Sequence, residues 1–130
     1  MTKVAMIRCE KNENRCPLTG CFNCLMAAKE GFAGYQDTVP AGVFTCRCPG
    51  DNVANLAKIL KSKGAEAIHF CTCTFAAKTE NGWKMEYGGF CDHIDTLMKQ
   101  VQEATGLPCV KGTAHLPEGY VPEKRRCVHP

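Results

Sequence analysis

Residues 39–73 read VPAGVFTCRCPGDNVANLAKILKSKGAEAIHFCTC, and this stretch carries the pattern of a strand, a helix and a second strand. Residues 39–44 favour β structure, and the proline among them stands near the start, where no ladder hydrogen bond is lost. Asp51 or Asn52 can cap a helix whose apolar residues at positions 53, 56, 57 and 60 share one face. Residues 67–70 form a short apolar run after the glycine that ends this helix. The stretch therefore predicts a βαβ unit with parallel strands.

The same alternation continues on both sides of this unit. Residues 4–7 are apolar and predict a buried first strand. The apolar residues between positions 22 and 32 fall roughly on one helical face, and those between positions 94 and 101 mark a third helix. Residues 109–110 then give a fourth strand. The chain therefore alternates strands with helices, as parallel α/β proteins do.

This order of elements predicts the fold class. We expect an α/β protein, a three-layer α/β/α sandwich with a four-stranded, mostly parallel sheet of the flavodoxin-like or Rossmann-like kind. The Asn81-Gly82 turn signal predicts a β-hairpin insertion near residues 75–88. We expect the domain to span residues 1–116 and to be followed by a C-terminal tail, residues 117–130.

Composition limits the classes of function. The 130 residues have a formal net charge of +3, with 22% charged residues, and this balance does not indicate a nucleic-acid partner. No apolar segment approaches the length of a membrane span, and the N-terminus lacks the pattern of a signal peptide. We therefore expect a cytoplasmic protein with neither a membrane nor a nucleic acid as partner.

Cysteine is the residue whose abundance departs most from ordinary usage. The chain contains 11 cysteines, an odd number, so disulfides within the chain cannot pair them all. In a cytoplasmic protein, clustered cysteines more often bind metal or carry redox chemistry than form structural disulfides. The cysteines are therefore the principal candidates for a functional site.

Five cysteines follow predicted strands directly. Cys9 follows the first strand, Cys46 and Cys48 follow the second, and Cys71 and Cys73 follow the third. Ligands of open α/β sheets bind beyond the carboxyl ends of the strands, where the N-termini of the helices also lie. Helix N-termini favour thiolates electrostatically. We therefore expect these five thiols to converge around one centre and to bind a cofactor.

Further potential ligands map to the same edge of the sheet. Cysteine thiolates and imidazoles are the donors that zinc prefers, and thiolates hold iron–sulfur clusters. The full set of predicted metal ligands is Cys9, Cys16, Cys21, Cys24, Cys46, Cys48, Cys71, Cys73, Cys91, His93 and His115.

The number of these ligands bears on the identity of the cofactor. A closed structural zinc site needs four ligands, whereas nine cysteines are predicted at this edge, so an iron–sulfur cluster is the favoured cofactor and zinc the alternative. No dinucleotide-binding or phosphate-binding glycine motif follows a strand, which argues against a nucleotide or flavin. A redox-active or sulfur-handling protein, a non-enzymatic metal carrier or sensor, and a metal-free thiol–disulfide oxidoreductase all stay open. A redox or metal-delivery protein is the expected partner.

Other chemically notable residues have structural interpretations. Cys109 in the fourth strand and His69 in the third are expected to be buried core residues. Trp83 is expected to pack the hairpin. Cys127, His129 and the basic residues 124–126 are assigned to the tail.

Several motifs, in order, resemble one known family. They are Ile7-Arg8-Cys9, Cys16-Pro17 with Cys21, Thr45-Cys46-Arg47-Cys48-Pro49-Gly50, Ile68-His69-Phe70-Cys71 and Gly112-Thr113-Ala114-His115. Over residues 4–116 the chain is similar to the CGGC-domain family, which is named for a Cys-Gly-Gly-Cys centre. Here the matching stretch is Cys46-Arg47-Cys48, one residue shorter. The resemblance implies a metal-binding role, with zinc suggested by the cysteines and histidines, and it implies no particular reaction.

Overall fold

The computed structural model describes residues 2–122. Within this range the elements are β1 (Thr2–Cys9), α1 (Thr19–Ala27), β2 (Thr38–Cys46), α2 (Val53–Ser62), β3 (Ala67–Phe70), β4 (Ala77–Thr79), β5 (Gly82–Lys84), α3 (Ile94–Thr105) and β6 (Cys109–Lys111). Short 3-10 helices lie at Glu10–Asn12, Glu30–Phe32 and Thr72–Thr74. Cys127, His129 and residues 124–126 lie outside the described residues.

The predicted parallel sheet is confirmed. Its strand order is β2-β1-β3-β6, and each neighbouring pair is parallel. Numbered within this sheet alone, the order is 2-1-3-4, which begins the flavodoxin-like order and differs from the Rossmann order. The topological switch point then lies between β1 and β3, so the carboxyl ends of these two strands mark the expected binding edge.

Helices cover both faces of the sheet, which confirms the three-layer architecture. The side chains of β1 alternate between two cores, as successive residues of a strand must. Ala5 and Ile7 pack in the core formed with α2 and α3. Val4 and Met6 pack in the opposite core, with Leu25 of α1. These four side chains are fully buried, as expected because β1 is one of the two interior strands of the sheet.

Helix α2 begins and ends where the sequence predicts. Asn52 occupies the N-cap position, and Val53, Ala57 and Leu60 are its buried residues. Gly64 lies just beyond the C-terminus with a φ of 102°, a left-handed conformation that glycine adopts without steric cost. Gly64 therefore ends α2 and begins the connection to β3.

Helix α1 is shorter than the apolar pattern of residues 22–32 predicts. It ends at Ala27, where Ala28 adopts a left-handed φ of 53°. Phe32 is nevertheless fully buried, because the 3-10 turn Glu30–Phe32 returns the chain to the sheet. The amide of Gly31 in this turn donates to the Thr113 carbonyl oxygen at 2.9 Å. A tertiary contact therefore replaces the last turn of the predicted helix.

The predicted hairpin is present as the antiparallel pair β4 and β5, with shorter strands than the sequence indicates. Beyond β6, the Tyr120 hydroxyl donates to the Lys111 carbonyl oxygen at 2.7 Å, and its ring lies 5.3 Å from that of Phe75. The first residues of the predicted tail thus pack on the domain, and the boundary at residue 116 stays a prediction. Within residues 2–122, no helix combines the length and apolar character needed to cross a membrane.

Candidate functional site

The cysteines at the carboxyl edge of the sheet line two separate cavities. The small cavity, of about 10 Å³, is lined by Cys9, Cys46, Cys48, Cys91 and His93, together with apolar side chains. The large cavity, of about 610 Å³, is lined by Cys16, Cys21, Cys71, Cys73 and His115, together with aromatic and basic side chains. Of the five cysteines expected around one centre, three line the small cavity and two line the large one, and their role as cofactor ligands stays a prediction.

Strand geometry explains this division. Cys9 lies two residues after Ile7 and so points to the same face of the sheet, toward α2 and α3. Cys46 is the register partner of Cys9 on β2 and also packs against that core. Cys71 follows Phe70 by one residue and packs instead in the core that contains α1. The thiols of β1 and β2 thus line a different cavity from those that follow β3, although Cys9 is near enough to Cys73 to contribute, after burial and Cys21, to its raised pKa.

The small cavity joins the ends of β1 and β2 to the segment before α3. The backbone amide of Cys48 donates to the Glu10 carboxylate at 2.8 Å, which ties the loop after β2 to the turn after β1. Burial raises the pKa of Cys46 to about 11, and the neighbouring thiols of Cys91 and Cys9 act in the same direction. Burial also raises the pKa of Cys91. At neutral pH Cys46 and Cys91 therefore hold their protons.

His93 lies at the rim of the small cavity, with both ring nitrogens near oxygen acceptors. Its Nδ1 is 2.7 Å from Asp92 Oδ1, and its Nε2 is 2.9 Å from the Pro49 carbonyl oxygen. The hydrogen bond with Asp92, followed by that with Pro49, raises the pKa of His93. Both nitrogens donate when the ring is protonated, so this arrangement favours the imidazolium rather than a free ligand nitrogen.

The large cavity is lined by two thiols that influence each other's ionisation, Cys21 and Cys71. The hydrogen bond from Cys71 lowers the pKa of Cys21 to about 6 against the opposing effect of burial, and Thr113, the Ala114 amide and Arg8 lower it further. The same hydrogen bond, together with burial, raises the pKa of Cys71. Cys21 is thus the thiolate of the pair and Cys71 its donor.

Thr113 is placed to support this thiolate. Its Oγ1 lies 3.1 Å from Cys21 Sγ and accepts the Thr72 amide proton at 3.3 Å. In return, Thr72 Oγ1 accepts from the Thr113 amide at 3.1 Å and donates to the Ala114 carbonyl oxygen at 2.5 Å. Since Thr113 Oγ1 already accepts from an amide, its own proton is available for the Cys21 sulfur. The segment after β6 therefore supplies a donor to the thiolate.

Buried His69 holds the start of that segment. Its Nδ1 lies 2.8 Å from the Gly112 carbonyl oxygen, which can only accept, so the proton resides on Nδ1. Nε2 then accepts from the Tyr35 hydroxyl at 2.9 Å, and burial raises the pKa of Tyr35 to about 12, so the phenol stays protonated. His69 is a hydrogen-bonded core histidine, as expected from the sequence.

His115 and Trp83 form one wall of the large cavity. Their rings are stacked, with centroids 5.6 Å apart and planes at 3°. On the other side, a Cβ atom added at Gly20 would lie 3.1 Å from His115 Nε2, so the imidazole sits against the first turn of α1. His115 itself has a φ of 53°, which is uncommon for a residue other than glycine. Trp83 lines this cavity as well as packing the hairpin.

Cys16, Cys73 and Cys24 are the remaining predicted ligands, and each has its own surroundings. Cys16 Sγ accepts the Leu18 amide proton at 3.4 Å. Burial raises the pKa of Cys73 to about 11. Cys24 is half-buried on α1, and burial, followed by the Glu30 carboxylate, raises its pKa. Cys109 is fully buried in β6, as expected for a core residue.

The donor chemistry of both cavities suits a thiophilic metal, but the side chains are not arranged around an ion. Within residues 2–122, no three Cys, His, Asp or Glu side chains are grouped as ligands of one ion. All ten cysteines in that range are free thiols. In the small cavity the thiols have to turn toward a common point before they can share a metal.

Comparison with known proteins identifies the family. Residues 3–114 match the family described as CGGC domain. The chain belongs to the CGGC domain family. This confirms the resemblance, and it supports a metal-binding role in general terms. The CGGC domain described here is also 35% identical over 120 residues to an uncharacterized protein of Methanocaldococcus jannaschii, with 85% of each chain covered. No solved structure matches significantly.

Proposed function

We propose that this CGGC domain binds one thiophilic metal ion, with Zn²⁺ as the leading candidate, in the small cavity. The thiols of Cys9, Cys46, Cys48 and Cys91 would hold it. The observation that carries the proposal is that these four cysteines, from three separate segments of the chain, line one cavity. Four thiolates are a complete tetrahedral ligand set for zinc.

The size of the cavity favours a single ion. About 10 Å³ is room for roughly one water-sized sphere, whereas an iron–sulfur cluster contains several iron and sulfide atoms. The sequence alone favours the cluster because of the number of thiols. Because these thiols are divided between two cavities, the small cavity has four cysteines. Four is the number that one zinc ion needs, so the excess of thiols that favoured a cluster is absent from this cavity.

The surroundings support a site that exchanges its metal. Cys48 is exposed and Cys46 is half-buried, so an incoming ligand can reach them. Two hydrophobic cores stabilise the domain on either side of the sheet, which leaves no need for a metal to fold it. These features fit a cytoplasmic carrier or sensor that passes metal to or from a protein partner better than a structural zinc domain.

Protons compete with the metal at this site. Cysteine binds metal as the thiolate, and burial raises the pKa of Cys46 and Cys91. Loading therefore releases protons, and the affinity for the metal increases as the pH rises. The metal would fix the loop after β2 against the segment before α3.

Anaerobic purification followed by metal and sulfide analysis tests the proposal. We expect about one zinc per chain and no acid-labile sulfide. Cys46→Ser and Cys91→Ser should lose the metal and stay folded, while Cys24→Ser, a half-buried cysteine outside the cavity, should keep it. A brown protein with stoichiometric sulfide would show that the site holds an iron–sulfur cluster rather than zinc. Full metal content in both Cys46→Ser and Cys91→Ser would overturn the site.

A further inference from the structure

The large cavity carries a second function, separate from the metal site. We propose that Cys21 and Cys71 form a redox dithiol that reduces small, acid-bearing disulfides bound in this cavity. Cys21 would be the attacking thiol and Cys71 the resolving thiol. None of the four cysteines assigned to the metal belongs to this pair.

The first support is the unequal access of the two sulfurs. Cys71 is 1% exposed, whereas Cys21 is half-buried and lies on the wall of the large cavity. Thr113 Oγ1 lies 3.1 Å from Cys21 Sγ and accepts from the amide of Thr72, the residue that follows Cys71, so both cysteines lie beside the same hydroxyl. A substrate can therefore reach Cys21 first, and Cys71 stands next to the mixed disulfide that would result.

The surroundings of Cys21 favour its thiolate. It lies in the first turn of α1, where the helix dipole favours negative charge, and Thr113 approaches it to 3.1 Å. The titratable and charged groups that interact with it are Cys24 on its own helix, Arg8 of β1, Cys71 after β3 and Cys73 in the following turn. His115 lines the same cavity. Only Arg8 carries a fixed charge, and it is positive.

The cavity itself defines the class of substrate. Its volume of about 610 Å³ lies in the range of small-molecule sites. The stacked Trp83 and His115 rings offer an aromatic wall, and Arg15 and Lys78 are cations of the lining. Among the described residues that line it, none is acidic. A low-molecular-weight disulfide with carboxylate groups fits this combination.

The reaction balances without any further oxidant. The Cys21 thiolate attacks one sulfur of the substrate disulfide, forms a mixed disulfide and releases one substrate thiolate, which takes up a proton from solvent. Cys71 then gives its proton to solvent and attacks Cys21 Sγ, forming the Cys21–Cys71 disulfide and releasing the second thiolate. The substrate gains two electrons and the protein dithiol loses two.

The nearest competing arrangement is a pair between Cys21 and Cys24. The spacing of Cys21 and Cys24 is that of known redox pairs, but the hydrogen bond from a thiol to Cys21 comes from Cys71. Burial and then the Glu30 carboxylate raise the pKa of Cys24, and the interaction of Cys24 with Cys21 has a smaller effect on it. The structure therefore favours the long-range pair over the local one.

Single-turnover oxidation of the full, reduced and metal-loaded chain by glutathione disulfide tests the proposal. Mapping by mass spectrometry should find a Cys21–Cys71 disulfide in the native chain and a glutathione adduct trapped on Cys21 in Cys71→Ser. Cys21→Ser should lose the reaction but still change the fluorescence of Trp83, the single tryptophan, when the probe binds. Cys24→Ser should react as the native chain does.

The pH profile supplies an independent readout. Alkylation of Cys21 by iodoacetamide should have its midpoint near pH 6, because the pKa of Cys21 is lowered to about 6, and Thr113→Val should shift the midpoint upward. A Cys21–Cys24 disulfide, an adduct elsewhere than Cys21, or a Cys21 that alkylates only above pH 8 would overturn the dithiol. Protection of Cys21 from alkylation by bound metal would also overturn the dithiol, because it would place the metal in the large cavity.

Discussion

Replacing Gly31 by alanine tests how the segment after β6 is held in place. A Cβ atom at Gly31 would lie 2.4 Å from the Gly112 carbonyl oxygen and 2.8 Å from the Thr113 amide nitrogen. Ordinary contact begins at roughly 3.5 Å, so the two backbones have to separate by about 1 Å. Both are main chain, and no flexible side chain can give way instead.

The cost follows from the hydrogen bonds that this separation breaks. Gly31 donates to the Thr113 carbonyl oxygen at 2.9 Å, and His69 donates to the Gly112 carbonyl oxygen at 2.8 Å. A shift of about 1 Å takes such bonds beyond their normal length. Losing one or both, with buried groups left unpaired, should lower the free energy of unfolding by about 2–4 kcal/mol.

Urea unfolding of Gly31→Ala and Gly34→Ala measures this cost against a control. Gly34 has a φ of 98° and no heavy atom within 4 Å of an added Cβ, so its replacement should cost only about 1–2 kcal/mol of left-handed strain. Gly31→Ala should also raise the alkylation midpoint of Cys21, because Thr113 moves with the segment. Equal unfolding midpoints for the two variants would refute the steric reasoning.

Three further substitutions test the cores around the cavities by urea unfolding. Cys109→Ser should lose roughly 1–3 kcal/mol, since it places a hydroxyl in a fully buried strand, and should keep its metal; loss of metal would contradict the assignment of Cys109 to the core. Tyr35→Phe removes the donor to His69 and should lose about 1–2 kcal/mol; an unchanged midpoint would contradict the hydrogen-bond assignment. Leu97→Ala, at the boundary of the small cavity, should lose about 2–5 kcal/mol; a loss no larger than that of an exposed residue would contradict its place in the core.

The sheet and the edge that carries the cysteines were predictable from sequence because both depend on local patterns. Residues 4–7 are a continuous apolar run and residues 67–70 are apolar apart from His69, as is typical of strands buried on both faces. Once the strands are parallel, their carboxyl ends share one edge, and the cysteines that follow them share it too. Predicting this edge therefore required only the order of the strands and helices along the chain.

The division of the cysteines could have been read from the same pattern but was missed. Cys9 follows Ile7 by two residues and Cys46 follows Phe44 by two, so each shares a face with a core residue on the α2 and α3 side. Cys71 follows Phe70 by one residue and takes the other face. Counting residues from the last core position of each strand assigns the faces correctly.

Contacts between distant segments could not be predicted in this way. The approach of Gly31 to Gly112, the Thr113 hydroxyl beside Cys21, and the stacking of Trp83 on His115 all join residues far apart in sequence. No periodicity encodes such pairings, because they depend on how the turn after α1 and the hairpin settle on the finished sheet. The helix predicted to reach residue 32 ended early for the same reason.

The separation of the thiols by the sheet has a practical consequence for chemical labelling. On one side Cys46, with a pKa of about 11, is a poor nucleophile at neutral pH. On the other side Cys21, with a pKa of about 6, is ionised under the same conditions. A mild electrophile at neutral pH should therefore modify Cys21 well before Cys46, so the order of labelling distinguishes the thiols on the two faces of the sheet.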